Sequence, residues 1–490
     1  LKAIVIGSGF AGLSCATCLA TEGWEVTVLE KNASFGGRAR QFAAQGFTFD
    51  MGPSWYWMPD VFEAYFNKFG KSVADYYELE RLDPSYKIVW GQDDETALPA
   101  SVNELCKLFE SLEAGSGPQL MQFLEEAKFK YQVGINDLVY KPGRSIFEFT
   151  DLKLLYGILK MDVFNSIAAS IKKRFKHPQI IQMLEFPVLF LGALPENTPA
   201  LYSLMNYADI ALGTWYPKGG MCKIVEAMLN LAQEKGVKLL SNKNVSQIQI
   251  SQGKATKVIT QNAEYEADVV ISTADYEHTE SKLLEAQYQS YSAEYWDSRV
   301  MAPSSLLFYL GINKKIQGLG HHTLYFDVPF EQHAREIYET PQWPTEPMFY
   351  VNCTSSTDPS TAPEGCENIF ILIPVAIDLK DEESTREYYY NLVLDRLEKR
   401  SGQSIKEHVV FKRSFAHNDF ISDYNAFKGN AYGLANTLMQ TSILKPSLKS
   451  KKVSNLFYAG QLTVPGPGVP PSLISGQVVA KEVIKEFKHA

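Results

Sequence analysis

The sequence predicts an α/β fold in which a parallel-sheet domain is interleaved with a second domain of mixed α+β structure. Three observations point to it. The N-terminus reads as strand, glycine loop, helix and strand. The C-terminal stretch returns to a strand–glycine–helix pattern at Leu456-Phe457-Tyr458-Ala459-Gly460. The length of 490 residues exceeds one ordinary domain.

Ala3-Ile4-Val5-Ile6 is a short unbroken apolar run, as a strand buried on both faces requires. Gly7-Ser8-Gly9-Phe10-Ala11-Gly12 follows at once, and a helical stretch from Leu13 to Glu22 ends at Gly23, which takes a left-handed C-terminal position easily. Trp24 to Leu29 is the second strand, closed by Glu30. Further on, Asp60 to Phe69 reads as helix stopped by Gly70. Ser101 with Glu104, and Ser384 with Glu387, form capping-box patterns that open helices through Leu112 and through about Lys399. Tyr86–Trp90, Ser305–Gly311, Met348–Asn352, Ile369–Val375 and Val409–Lys412 are strand candidates, and Thr354 to Glu364 reads as surface loop.

Composition narrows the function classes. Hydrophobic residues at 45% and charged residues at 21% are those of a soluble globular protein. A net charge of -9 argues against nucleic acid as a partner and against a uniformly basic membrane face. No charged and apolar leader precedes Lys2, so no signal peptide is expected. The densest apolar run, Phe186 to Leu194, stops at Pro195, short of the roughly 20 residues a spanning helix needs. Cys15 and Cys18 lie one turn apart on the first helix, where packing is the expected role. No histidine or cysteine spacing suggests a metal, and a reduced, cytoplasmic compartment fits.

The glycine loop has the context that gives such a motif meaning. Gly7 permits the tight turn, Gly9 lets the backbone approach a pyrophosphate, and Gly12 lets helix and strand pack closely. The helix N-terminus offers free N–H groups to phosphates. Glu30 can accept the ribose hydroxyls of an adenosine and would repel a 2′-phosphate. The expected ligand is therefore FAD or NAD, not NADP.

Gly36-Gly37-Arg38 and then Asp50-Met51-Gly52-Pro53-Ser54 follow in order. With the glycine loop and Glu30, this series resembles the flavin amine oxidase superfamily, specifically its carotenoid desaturase branch and most closely the bacterial-type phytoene desaturases. Trp215-Tyr216-Pro217-Lys218-Gly219-Gly220-Met221 is similar to that branch's Tyr-Pro-basic-Gly-Gly-Met signature. The run from Ala459 to Pro470 is similar to its C-terminal flavin motif. The resemblance covers almost the whole chain. It implies an FAD-binding Rossmann-type domain built from residues 1–80, 215–285 and 435–490. A substrate-binding, membrane-contacting domain would come from residues 81–214 and 286–434.

The resemblance also implies which residues meet FAD: Gly7, Gly9, Gly12, Glu30, Gly36, Gly37, Arg38 on the flavin side, Pro53, Ser54, Val245 at the adenine, and Gly460, Gln461, Gly468, Val469 and Pro470. Many family members carry Ala at the position of Gln461 and His at that of Val464, which bears on local hydrogen bonding near the flavin. The implied activity is FAD-dependent desaturation of a membrane-dissolved carotenoid, foremost phytoene to lycopene-type products. Hydroxycarotenoid 3,4-desaturation, isomerisation or saturation, amine oxidation, and a non-enzymatic prenyl- or lipid-binding role are the alternatives. Oxygen or a quinone would be the electron acceptor, with the enzyme peripheral to the inner membrane.

Such a substrate lacks polar handles, so shape and exclusion of water must control the chemistry. Asn165 to Pro178 carries Ile167, Ile171 and Phe175 at helical spacing beside Lys172, Lys173, Arg174 and Lys176. It reads either as an interfacial helix or as a surface helix packed on its own core. Phe186 to Leu194 reads as tunnel wall or core. Of Trp55, Tyr56 and Trp57, at least two are expected to be core packing. No catalytic acid or base can be assigned.

Overall fold

A computed structural model describes residues 1–145, 148, 165–189, 194–437 and 440–488. The N-terminal unit is strand β1 (Lys2–Ile6), helix α1 (Phe10–Thr21) and strand β2 (Glu25–Leu29), with the two strands parallel. The helix starts at Phe10 rather than Leu13, because the glycine loop itself turns into the first helical residues. Gly23 ends the unit's helical connection at φ +84°, the left-handed conformation expected of it.

Around β1 and β2 stands a five-stranded parallel sheet in the order Leu456–Tyr458, Val269–Ser272, β1, β2, Lys238–Leu240. Three distant stretches of chain thus meet in one sheet. The alternation along β1 shows why the run is apolar throughout. Ala3 and Val5 pack among Leu13, Leu19 and Val479 on the helical face. Ile4 and Ile6 pack among Val245, Ile248 and Val258 of a three-stranded antiparallel sheet on the other. A Cβ on Gly476, in the C-terminal helix Val469–Phe487, would lie 2.2 Å from the carbonyl oxygen of Ala11, so that helix meets α1 backbone to backbone.

A second, seven-stranded mixed sheet runs Val409–Phe415, Ser304–Ile312, Glu367–Val375, Phe349–Asn352, His322–Tyr325, Tyr86–Val89, Glu95–Leu98. Only the pairing of His322–Tyr325 with Tyr86–Val89 is parallel. All nine residues of Ser304–Ile312 are buried, because both faces are covered. Leu306, Phe308 and Leu310 pack against Tyr389, Val393 and Leu397 of the helix Glu383–Ser401. Ser305 and Leu307 face the other way, into a large cavity. That helix begins one residue before Ser384, so the expected Ser384 cap falls inside it and Glu382 stands at the cap without a side-chain bond. The Ser101 cap is present, its hydroxyl accepting from the Glu104 N–H at 3.4 Å.

Helices Val102–Leu112, Ser116–Val133, Ile167–Arg174 and Pro178–Leu189 lie beside this sheet. The interfacial-helix reading of Asn165 to Pro178 needs correction. Ile167, Ile171 and Phe175 are fully buried, with the Phe175 ring edge-on to Phe109 and Phe123. The apolar stripe covers the protein's own core, which costs nothing in exposed apolar area. Of the basic groups, Lys172 pairs with Glu185 and Glu196, and Arg174 with Glu126. Among the described residues no helix is long and apolar enough to cross a membrane. Of the Phe186 to Leu194 run, Phe186 lines the cavity and Val188 is core, whereas residues 190–193 lie outside the described residues.

Candidate active site: a nucleotide crevice continuous with an aromatic chamber

One cavity of about 480 Å³ runs from the glycine loop to the inner face of the seven-stranded sheet. At its first end lie Gly7, Gly9, Glu30, Gly36, Gly37, Arg38, Pro53, Ser54, Val245, Gly460, Gln461, Gly468, Val469 and Pro470. Gly12 stands behind this wall. A Cβ there would sit 2.1 Å from the Gly7 carbonyl oxygen, so only glycine lets the helix close on the turn. Gly36 and Gly37 both have positive φ, and a Cβ on Gly37 would lie 3.3 Å from the Gly9 Cα. The two glycine loops therefore touch along their backbones.

Glu30 is buried, and its carboxylate accepts from the Ser8 N–H at 3.1 Å, the Ser8 hydroxyl at 2.6 Å and the Asn32 N–H at 2.9 Å. These bonds fix a negative group at the end of β2. Arg38 is the positive counterpart. Its guanidinium lies 4.9 Å from the Tyr424 ring, and its buried Nε has no hydrogen-bond partner among the described residues. Burial, foremost, lowers its pKa from the ordinary value. Its Nη2 donates to the Asn430 carbonyl at 3.5 Å, and a guanidinium with its Nε still free beside a glycine-lined crevice suits an anionic group such as a pyrophosphate.

Asp50 and the Gly219-Gly220-Met221 signature turn out to be one device. The Asp50 carboxylate accepts from the N–H groups of Met221 at 2.7 Å and Cys222 at 3.2 Å, at the start of the helix Cys222–Glu234. A Cβ on Gly220 would stand 2.7 Å from Asp50 Oδ2. Burial pushes the Asp50 carboxyl up to about 6 against the pull of those two N–H groups. The signature thus anchors the segment that carries Pro53 and Ser54 to the cavity wall. Gln461 donates to Asn430 Oδ1 at 3.2 Å and ties the C-terminal loop to its neighbour.

The far end of the cavity is aromatic and aliphatic. Trp55, Trp57, Phe186, Phe326, Phe330 and Met348 line it, with Leu307 and Leu372 from the sheet. As expected, two of the three residues Trp55, Tyr56 and Trp57 are core, Tyr56 and Trp57, while Trp55 and Trp57 also reach the cavity. Only Tyr56 is pure core, its hydroxyl paired with that of Tyr77 at 2.9 Å. The segment is irregular apart from a lone bridge between Tyr56 and Trp215, and it turns Ser54, Trp55 and Trp57 to the space while Tyr56 points away. The expectation also missed Tyr350, Leu372, His333, Tyr338 and Tyr424, which reach the cavity from distant strands and helices. Among the described residues no cluster of His, Cys, Asp or Glu could hold a metal ion.

Comparison with known proteins decides the family. The model of flavin containing amine oxidoreductases matches residues 10–484. The chain belongs to this family.

As a flavin-containing amine oxidoreductase, it is an FAD-dependent oxidoreductase. It is 37% identical over 99% of its length to a carotenoid 3,4-desaturase of Haloarcula japonica, covering 98% of that protein. It is 29% identical to a zeta-carotene-forming phytoene desaturase of Myxococcus xanthus, over 100% of this chain and 95% of that one. An oxidoreductase from Methanosarcina mazei shares the fold, with a TM-score of 0.63 at 17% identity over 98% of this chain and 100% of that one. The crevice described above fits the cofactor of this family. It offers a half-buried guanidinium with a free Nε, a fixed carboxylate and a glycine cradle that side chains would fill.

Proposed function

We propose that this chain is a carotenoid desaturase, removing two hydrogens from adjacent carbons of a polyene. The observation that carries the proposal is a single cavity, polar and glycine-lined at one end and aromatic at the other. Relatives of full length that are named carotenoid desaturases support it. In this reading Gly7, Gly9, Gly12, Glu30, Gly36, Gly37, Arg38, Pro53, Ser54, Val245, Gly460, Gln461, Gly468, Val469 and Pro470 hold FAD. Gly36-Gly37-Arg38 lies along the pyrophosphate with Arg38 facing the flavin side, and Glu30 meets the ribose hydroxyls. Residues 1–80, 215–285 and 435–490 form the FAD-binding unit, and residues 81–214 and 286–434 the substrate unit.

FAD held there would supply a two-electron sink for a hydride from an allylic carbon. The protein's part is to hold an apolar chain beside it and to keep water out. Trp55, Phe186, Phe326 and Leu307 do this by bulk, since a hydrocarbon gives no hydrogen bond to grip. Burying it from water would yield about 0.8 kcal/mol per CH₂. Drawn from a bilayer, it gains almost none of that, so the enzyme works at a membrane surface without needing a tight apolar grip. Oxygen or a quinone then takes the electrons.

The first expectation was phytoene converted to lycopene-type products. The relative at 37% identity favours 3,4-desaturation of a carotenoid over that reading. The test is product chromatography of the FAD-loaded protein with liposomes carrying phytoene, lycopene or a hydroxylated carotenoid, with quinone added. A product from lycopene or its hydroxylated form but none from phytoene supports 3,4-desaturation. Visible bands growing from phytoene support the other reading, and no new double bond from any of the three overturns both.

A further inference from the structure

Loss of two hydrogens as hydride and proton requires a place for the proton, and the apolar end of the cavity offers few. One chain of groups leads away from it. Ser54 and Tyr350 both line the cavity, and their hydroxyl oxygens are 3.0 Å apart. The Tyr350 hydroxyl is 2.5 Å from Nδ1 of His322, whose ring is buried behind it. The His322 ring also lies stacked on Trp55, with centroids 4.0 Å apart and planes 10° from parallel.

The directions of these bonds follow from a neighbouring amide. Asn352 Oδ1 accepts from the Thr354 hydroxyl at 2.8 Å, and Asn352 Nδ2 donates to the His321 carbonyl at 2.9 Å. The amide orientation is thereby fixed, and the Nδ2 group is what faces His322 Nδ1 at 3.5 Å. A nitrogen facing a donor carries the lone pair, so His322 holds its hydrogen on Nε2. That Nε2 is buried with no partner among the described residues. It follows that Tyr350 donates to His322 and Ser54 donates to Tyr350. The remaining lone pairs of Ser54 Oγ are left at the cavity wall. Burial, with His321 alongside, holds the His322 imidazole well below its ordinary pKa and therefore neutral at rest. Burial likewise raises Tyr350, which keeps its proton until one arrives.

We propose, resting on the desaturase reading above, that Ser54, Tyr350 and His322 are the path by which the substrate's proton leaves the cavity. Ser54 is the catalytic residue that meets the substrate. Tyr350 is the link, and His322 is the terminal acceptor positioned by Trp55. As one carbon gives up a hydride, the electron pair of the neighbouring C–H bond becomes the new π bond. Its proton passes to Ser54 Oγ, Ser54's own proton passes to Tyr350 Oη, and Tyr350's passes to His322 Nδ1. Ser54 and Tyr350 end unchanged in charge. The imidazolium lies against the face of Trp55, which favours a cation, and its charge balances the one that left with the hydride. Transfer of two electrons and two protons to a quinone, one of those protons being the one held by His322, closes the cycle.

The test compares FAD-loaded wild type with Ser54→Ala, Tyr350→Phe and His322→Gln. Each is mixed without oxygen with liposomes carrying the carotenoid that the wild type desaturates. Wild type, Tyr350→Phe and His322→Gln should keep the same visible flavin spectrum, and Ser54→Ala, which also alters the FAD wall, is compared after saturation with FAD. Flavin bleaching should slow about 100-fold in Ser54→Ala and Tyr350→Phe, within the range for a lost proton-transfer group. The slowing by heavy water seen in the wild type should vanish with the relay. Independently of turnover, ¹⁵N spectra of histidine-labelled protein should show a histidine with hydrogen on Nε2 that is absent from His322→Gln and shifted in Tyr350→Phe. Should Ser54→Ala fail to hold FAD, Tyr350→Phe carries the kinetic test alone.

Bleaching at the wild-type rate in the relay variants, or hydrogen on Nδ1 of His322, overturns the relay while leaving the desaturase reading intact. A wild type that no carotenoid bleaches takes down both.

Discussion

The two ends of the cavity are built by different physics. At the nucleotide end the backbone decides. Gly12, Gly36 and Gly37 stand where a β-carbon would strike a carbonyl, a valine or the opposite glycine loop, and the charged groups Glu30 and Arg38 are pinned at fixed places. At the apolar end side-chain bulk decides. Trp55, Trp57, Phe186 and Phe326 press against one another with ring centroids between 5.4 and 6.4 Å, and no single atom fixes the shape. The first kind of site tolerates almost no substitution. The second shifts gradually, which lets one fold serve hydrocarbons of different length and end group.

The largest effect should come from the backbone side. Gly12→Val is expected to yield protein that does not retain flavin through purification, since its Cβ would lie 2.1 Å from a carbonyl oxygen that cannot move. Visible absorbance against protein concentration reads this directly. Next is Arg38→Met, which removes the guanidinium from the cavity wall. Hydrogen bonds to charged groups contribute about 1.5–3 kcal/mol, so FAD affinity should fall about 10- to 100-fold, measured by titrating the apoprotein. On the apolar side, Phe186→Leu should leave FAD affinity unchanged and shift the ratio of products or substrates by about tenfold, the scale of a hydrocarbon mismatch in a pocket. A variant of Phe186 that lost flavin, or one of Arg38 that kept it and changed only products, would erase the distinction between the two ends.

The smallest effect is a pH dependence that belongs to the joint between them. Asp50 is raised by burial to about 6 in the folded chain, from an ordinary value of 3.8. The folded state therefore binds this proton more tightly than the unfolded one. The resulting penalty is fully present above pH 6 and is relieved as pH falls from about 6 to 3.8, by up to about 1.4 kcal/mol per unit. His278, lowered by burial to about 4, acts with the opposite sign between 6.5 and 4. Urea unfolding of wild type and Asp50→Asn across that range should isolate the Asp50 part as a gain on acidification that the variant lacks. An identical pH profile in both would show that Asp50 is not buried as described.

What could be read from the sequence follows the same division. The βαβ unit, Glu30 and the Gly36-Gly37-Arg38 turn were legible because each obeys a local rule linking residue type to backbone shape. The five strands named in advance for the second domain all lie in its seven-stranded sheet, with ends extended or trimmed by a few residues. The strands His322–Tyr325 and Glu95–Leu98 were not named, being short and carrying polar residues. Leu307, Tyr350 and Leu372 could not be assigned to the cavity, because which face of a fully buried strand meets a space depends on the sheet packed opposite. The basic helix misled for a related reason. An apolar stripe beside lysines looks the same whether it covers a bilayer or Phe109 and Phe123. The Gly219-Gly220-Met221 signature was recognisable, yet only the fold reveals that it grips Asp50.

On this reading the cavity couples flavin reduction to a new double bond in a polyene. Anaerobic mixing of the FAD-loaded protein with carotenoid liposomes, following flavin and polyene absorbance together, tests it. The yellow flavin should bleach while a longer-wavelength polyene band grows in equal molar amount. A polyene that changes its spectrum or geometry while the flavin stays oxidised would contradict it and make the chain an isomerase on the same fold.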